Sequence, residues 1–553
     1  MMRLGTLMRI LGTVILVVSL LPKASIAQSA DASAGLLVPT RHPVYHLLDR
    51  LEILRVIDQV GTSTKPMRRS EVTLALVRAN EAELEAGDRA LVERFLQEFA
   101  PPEPGRLISR SGNRIEHAST GSYASVGGYV RLSSSRWSGG DFTLWRDLGA
   151  EGFAKVGSNV FAHGTIHAAA QTGDRIGPPV SNSPEPGLNG WTSEDTTKAY
   201  YYDTSEGYLA LAWDRGGIWL GRFRDSWGPG IRGQLALSDK PPALPQIMLL
   251  LEPWEWLRYR FVHARLESGV LDSTTLRISD VGERFLRYYR KYLVAHRLDF
   301  WPDRRLRIGL GQSVIYGAGD FDLAYLVPMG DLLHVQHATG GRDNVQLAAD
   351  ATLFWPRYTA MSAALFVDEF STSLMFDSQK NRNWIAGQVG FRVADFWGVW
   401  RGSTLRVEYT RLNPWVYEHR YPWGTFASAG VGILSRTVQY PLGHWLGQNA
   451  DDVYIELSYC FPPPVTVTVW GERTRKGQPS TIQTHPYDVR SGYRASPFLS
   501  DPKESSERLG VRARWNTWRH VNFEGSVSHE WNDDSLRKSS EWLVELAVQL
   551  GNW

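Results

Sequence analysis

From about residue 105 to its C-terminus the chain alternates apolar and polar residues in runs of about ten, the length that crosses a bilayer as a tilted strand. Leu405, Val407 and Tyr409 alternate with Arg406, Glu408 and Thr410; Val453, Ile455, Leu457 and Tyr459 alternate with Tyr454, Glu456 and Ser458. Leu509, Val511, Ala513 and Trp515 oppose Arg512 and Arg514, and Val521, Phe523 and Val527 oppose Asn522, Glu524 and Ser528. A period of two fits β-strand, whose successive side chains point to opposite faces. An apolar and a charged face on one strand leave two architectures. A soluble sandwich puts the polar face outside; a membrane barrel puts the apolar face outside.

The connections choose between them. Short turns at 214–217, 301–305, 461–464 and 516–520 alternate with long polar loops at 171–198, 370–383, 411–450 and 473–506. Transmembrane barrels have this asymmetry, with short periplasmic turns and long outer loops. A mean hydropathy of −0.28 fits, because lipid-facing and lumen-facing residues offset each other. The 22 Trp and 22 Tyr suit interfacial girdles. No segment after the leader reaches the roughly 20 apolar residues of a spanning helix, and lipid tolerates only helices and closed barrels. Residues 105–553 are therefore expected to form a mainly β fold, a transmembrane antiparallel β-barrel of about 16–18 strands with 18 preferred. The chain ends on a further strand, with Trp542, Val544, Leu546, Val548 and Leu550 on one face. It resembles the terminal signal read by barrel-insertion machinery, although Trp553 falls one step out of register.

Two segments precede the barrel. Arg3 and Arg9, the apolar run Leu11 to Leu21, Pro22 and Ser25-Ile26-Ala27 read as a signal peptide over 1–27, cleaved before Gln28. Over 28–104 the period becomes helical. Val44, Leu47, Leu48, Leu51, Leu54 and Ile57 make one stripe; Ser70 to Val77 and Leu84 to Phe99 predict two more helices, and Pro101, Pro102 and Pro104 end the segment. The spacing leaves open whether this piece plugs the barrel or docks elsewhere in the periplasm.

Charge narrows the partners. The leader holds Arg3, Arg9 and Lys23 and no acids, so its loss takes the net charge from +2 to −1. Nothing global favours nucleic acid. The single cysteine, Cys460, permits neither an internal disulfide nor a thiolate metal site. Asp343-Asn344 and Asp320-Phe321-Asp322 carry oxygen ligands of the kind calcium takes, but turn formation explains them as well. His163/His167 and His334/His337 lack a third ligand, and Ser528-His529-Glu530 points successive side chains to opposite faces. No metal, cofactor or catalytic set is expected.

The order of several motifs resembles the Wzi family of capsule-assembly proteins from about residue 41 onward. Val44 to Leu51 followed by Lys65-Pro66-Met67-Arg68-Arg69 is similar to the family's helical opening. Gly221-Arg222, Trp227-Gly228-Pro229-Gly230 and Leu237-Ser238-Asp239 resemble its central strand and loop. His296-Arg297-Leu298, Gly309-Leu310-Gly311-Gln312, Pro328, Asp343-Asn344, Asp350 and Val367-Asp368-Glu369 continue the pattern. The resemblance implies an 18-stranded outer-membrane barrel with a periplasmic helical bundle, a non-enzymatic, lectin-like protein that binds capsular polysaccharide and supports capsule assembly or attachment.

Arginines recur at two-residue spacing on polar faces: Arg222 and Arg224, Arg258 and Arg260, Arg512 and Arg514. Two readings compete. They pair with lumenal acids such as Glu408, Glu456 and Glu524, or they attract acidic sugars, since guanidinium binds carboxylate bidentately. Trp191, Tyr200, Trp415, Tyr417, Trp423 and Trp445 lie in long loops where rings can stack on sugars. The candidate binding residues are Arg222, Arg224, Trp227, Arg258, Arg260, Asp343, Asn344 and Asp368. The expected partners are extracellular polysaccharide, outer-membrane lipid and, during biogenesis, the insertion machinery, with the protein a monomer. A porin or transporter for anionic solutes is the alternative, using the arginines as a selectivity surface.

Overall fold

The computed structural model describes residues 35–99 and 109–551, apart from 112–113, 120, 195–198, 279, 283, 318, 320, 328–331, 333, 336–342, 357, 370–383, 433–436, 463, 479–496, 519–520 and 535–536. The leader and the Pro-rich junction lie outside the described residues, as do most of the 370–383 and 473–506 loops and Trp553.

Eighteen antiparallel strands close into one barrel, from Ser122–Trp137 to Arg537–Leu550. The terminal strand closes it by pairing Leu550 with Val130 and Leu543 with Trp137. The strands run from 8 residues (Gly216–Phe223) to 22 (Leu257–Ile278). Turns at 157–159, 214–215, 255–256, 301–305, 356–358 and 462–464 gather at one end. The connections 174–198, 224–243, 318–343, 413–449 and 477–503 gather at the other. By the barrel rule the turn end is periplasmic.

The alternation resolves as an inverted protein. Leu209, Leu310, Leu347, Val389, Val469 and Leu546 are exposed around the outer wall, an apolar area far larger than a soluble surface tolerates. Arg260, Arg297 and Arg307 each expose 1% of their surface inside the lumen. A buried guanidinium costs several kcal/mol unless paired, so these charges require partners, and the N-terminal segment supplies many of them.

That segment forms α1 (Val44–Ile53), α2 (Arg69–Asn80) and α3 (Ala86–Phe99). Val44, Leu47, Leu48 and Leu51 of α1 pack against Val72 and Leu76 of α2 and Val92 and Phe95 of α3. The bundle sits across the turn end of the barrel. Arg50 binds Asp88 through two hydrogen bonds, 2.8 and 2.9 Å, and donates to Ser403 O and Asp395 Oδ1 on the rim, both at 2.5 Å. Arg68 reaches Glu252 and the carbonyls of Trp213 and Asp214, and Arg94 reaches Asn522 at 3.1 Å. Ile53 packs with Phe354, Ala360 and Ala394.

The bundle also pairs with the wall arginines. Arg392 and Arg406 hold Asp49, Arg307 faces Glu52 at 3.8 Å, and Arg258 meets Glu71 at 3.1 Å. Arg297 donates to Thr64 Oγ1 at 2.8 Å and to Asp350 at 2.7 and 3.1 Å. The helical segment thus plugs the periplasmic mouth. Of the acids expected to pair with arginine, Glu456 binds Arg406 at 2.7 Å, and Glu524 lies 3.4 and 3.3 Å from Arg512 and Arg514. Glu408 takes a different role.

Candidate functional site

Two connections from the loop end fold into the lumen and meet the plug. The first, 224–243, begins by pairing Ser226–Trp227 with Thr64–Lys65. Gly228 N donates to Ser63 O at 2.8 Å, and its φ of +137° suits glycine alone. A Cβ on Gly230 would lie 1.9 Å from Gly233 O. These contacts give the Trp227-Gly228-Pro229-Gly230 motif its physical reason. Glu408 then grips the loop tip by accepting from Ile231 N at 2.6 Å and Arg232 N at 2.9 Å. The Arg232 guanidinium pairs with Glu472, and Gln388 donates to Gly233 O at 3.0 Å. Thr40 and Arg41 of the plug bind Asp239 at 3.0 and 2.8 Å. Burial pushes the Asp239 pKa up, but Arg41, Arg224 and the Thr40 hydrogen bond together more than offset it and hold it at about 2.

The second connection, 413–449, lies over the first. Tyr417 Oη donates to Leu235 O at 2.8 Å and Ser238 N to Leu442 O at 2.6 Å. Trp227, Leu235, Leu237, Tyr417, Phe426 and Leu442 join Trp219 and Tyr208 of the wall in one apolar core inside the barrel. Gly35 O accepts from Trp219 Nε1 and Leu37 N donates to Tyr208 Oη, so the plug's first residues reach this core as well. Two cavities beside this core and the plug, of about 10 and 30 Å³, have room for only a water or two.

The predicted binding residues divide among these parts. Arg258 and Arg260 lie beneath the plug; Arg258 binds Glu71 and Glu252, and Arg260 donates to Pro66 O at 2.9 Å. Arg222 shares the outward face with Leu220, opposite Trp219 and Phe223, and donates to Ala243 O at 3.0 Å. Arg224 clasps two loops through Glu206 and the carbonyls of Asp239, Pro241 and Gly187. Trp227 is buried in the lumenal core. Asn344 donates to Gly424 O at 3.0 Å, and Asp368 accepts from Tyr417 N at 2.7 Å, so both hold the 413–449 loop. Asp343 accepts from Tyr325 Oη at 2.5 Å. They converge on loop attachment and form no common pocket. Among the described residues no three His, Cys, Asp or Glu side chains gather as a metal site.

The loop aromatics sort by exposure. Trp191, Tyr200, Tyr417 and Trp445 are 0–5% exposed and belong to the interior. Trp423 stays half-buried at the loop end, in a ladder that sequence reading missed. Tyr421 and Trp423 flank Pro422 at the short 3-10 turn Pro422–Gly424, and their rings stack 5.0 Å apart at 3°. Tyr289 meets Trp423 at 5.1 Å, and the Arg420 guanidinium lies 4.9 Å over Tyr421. A second pair, Arg411 over Phe498 at 3.9 Å, lies at the same end. The run Arg420-Tyr421-Pro422-Trp423 in a polar loop was the available signal. Flat rings with cations beside them can stack on sugar faces and hold carboxylates.

The family model for capsule assembly protein Wzi matches residues 148–540. The chain belongs to the Wzi family. Among solved structures it is similar to Wzi of Escherichia coli, an outer membrane protein involved in group 1 capsule assembly and a carbohydrate-binding β-barrel. The TM-score is 0.58 at 12% identity, covering 93% of this chain and 99% of that one. Two Pseudomonas aeruginosa proteins match more distantly: OpdK with vanillate (TM-score 0.44, 11% identity, 78% of this chain and 99% of that one) and OccK5 (0.42, 8%, 78% and 98%). No curated protein matches by sequence. The Wzi family match starts at residue 148, beyond the helical plug and the first wall strand.

Proposed function

We propose that this protein is a bacterial outer-membrane barrel that binds capsular polysaccharide at its loop end and supports capsule assembly or attachment without catalysing a reaction. The observation that carries this reading is the filling of the lumen. With the plug at one mouth and two loops folded in from the other, the surface offered to a large ligand is the extracellular rim. Among the described residues of that rim, the Arg420–Tyr421–Trp423–Tyr289 ladder has the chemistry to bind a glycan, and its arginine favours acidic sugars. Membership of the Wzi family supports the role, as does the binding attributed to the Escherichia coli relative. The protein acts as a monomer in this reading, delivered by the barrel-insertion machinery.

The test is direct binding of the purified protein to polysaccharide from its own cells, paired with a deletion strain. Binding, together with loss of surface glycan on deletion, is the expected pair of results. No affinity and unchanged glycan retention would overturn the assignment.

A further inference from the structure

One sector of the outer wall gathers polar and aromatic side chains. Across the strands Leu244–Trp254 to Asn344–Trp355, the outward positions hold Tyr259, His263, Tyr292, His296, Gln312 and Tyr316. Their register fixes the facing: His296 pairs with Gln312, and Gln312 pairs with Leu347, which is 53% exposed to the outside. Side chains of this kind are costly against hydrocarbon, and here they are covered. Phe321–Val327, with Leu332 and Val335, runs down the outside of the barrel. Tyr325 and Leu332 are each 1% exposed and pack with Tyr259, Phe261, Val294, Val314 and Tyr316. Tyr325 stacks on Tyr316 at 4.5 Å and Phe321 meets His263 edge-on at 4.8 Å.

The polar wall residues serve this cover. Gln312 Oε1 accepts from Leu332 N at 3.2 Å, and Asp322 Oδ1 accepts from Ala324 N at 2.8 Å. Irregular backbone at membrane depth persists only where such groups are satisfied. The far side of the cover is apolar: Leu323 is 60% and Val327 59% exposed. Leu310 and Leu347 on the outward face of the same wall sector are exposed to a similar degree, each 53%.

We propose that Phe321–Val327, together with Leu332 and Val335, forms an external strap embedded in the outer leaflet, presenting Leu323 and Val327 to lipid acyl chains and shielding the Tyr/His patch from them. The strap makes this sector of the wall thicker than the rest. It is independent of glycan binding at the rim.

The full-length protein in phospholipid vesicles tests this. Cys460 is the sole cysteine and is buried, so Cys460→Ser gives a background for single nitroxide labels at Leu323→Cys and Val327→Cys. Leu310→Cys on the wall and Val281→Cys, at a hairpin tip 83% exposed, are the references. The expected result is oxygen collision favoured over a water-soluble nickel chelate at both strap positions, as at Leu310 and several-fold above Val281. Nickel accessibility like that of Val281 would place the strap in water and overturn the proposal. Spin–spin broadening that disappears on dilution with unlabelled protein would do the same, by making the face a contact between copies. Gln312→Leu is expected to raise nickel access at Leu323 and leave Leu310 unchanged; unchanged access at Leu323 would remove Gln312 from the account.

Discussion

Glu408 on the barrel wall accepts a hydrogen bond from Arg232 N at 2.9 Å, while its other oxygen accepts from Ile231 N at 2.6 Å. One carboxylate thereby holds two successive amides of a loop that has travelled from the extracellular rim into the lumen. A hydrogen bond contributes about 0.5–1.5 kcal/mol net, and a buried amide left without one costs about 1–3 kcal/mol. Glu408→Ala is expected to free the 224–243 loop while the barrel stays closed. In planar bilayers the parent protein should show little conductance and the variant frequent opening events. Large, steady channels in the parent would instead favour the porin reading.

The plug has its own anchor in Arg297, which touches Thr64, Asp299 and Asp350 with 1% of its surface exposed. Arg297→Ala strands two buried carboxylates, and breaking a buried pair from one side typically costs about 3–5 kcal/mol. Asp350→Asn should cost less, because the guanidinium keeps Asp299 and Thr64. Urea unfolding followed by the heat-modifiable gel shift of the barrel would rank the two. Equal losses would contradict the arrangement.

Acid should loosen the contact between plug and inner loop. The Asp239 pKa lies at about 2 in the folded protein, below the 3.8 of a free aspartate, because burial is outweighed by Arg41, Arg224 and Thr40 together. The folded state therefore binds its proton later than the unfolded one. The stability from this pair is complete above about pH 4 and is lost as the pH falls from 3.8 toward 2. Protease sensitivity of the plug, measured across that window, should rise in the parent. In Asp239→Asn it should already be raised at neutral pH, with a weaker acid step.

Much of this architecture was legible in the chain because period and face are local properties. The stripe Val44, Leu47, Leu48, Leu51 gave α1, and the alternation at 405–410 gave a wall strand with Arg406 inside. Arg222 was misread for a local reason too. In Gly216–Phe223 both faces are apolar, Trp219 packing on the inner core and Leu220 meeting lipid, so the alternation that assigns a face is lost there. The inward course of 224–243 and 413–449 was not legible, because it depends on distant partners: Glu408 is 177 residues from Ile231, and Asp368 is 49 from Tyr417. Gln312, His263 and His296, polar residues on an outward face, were the local signs of the external strap. Of the candidate binding residues, Asn344 and Asp368 hold the loop that carries the ladder.

That ladder gives a discriminating binding experiment. Trp423 is half-buried at the rim, stacks on Tyr421 and meets Tyr289 at a tilt, whereas Trp191 is 3% exposed and sits in the interior. If stacking on Trp423 holds the glycan, Trp423→Ala should weaken polysaccharide binding about tenfold, equivalent to ~1.4 kcal/mol, with thermal stability unchanged. Trp423→Phe should recover part of the loss, since a ring remains. Arg420→Ala should weaken binding most at low salt, because an exposed charge acts through a screened field. Trp191→Phe should leave affinity alone. Titration calorimetry at two salt concentrations separates these outcomes, and parent-like affinity in both Trp423→Ala and Arg420→Ala would move the glycan to another part of the rim, the Arg411–Phe498 pair being the next to test.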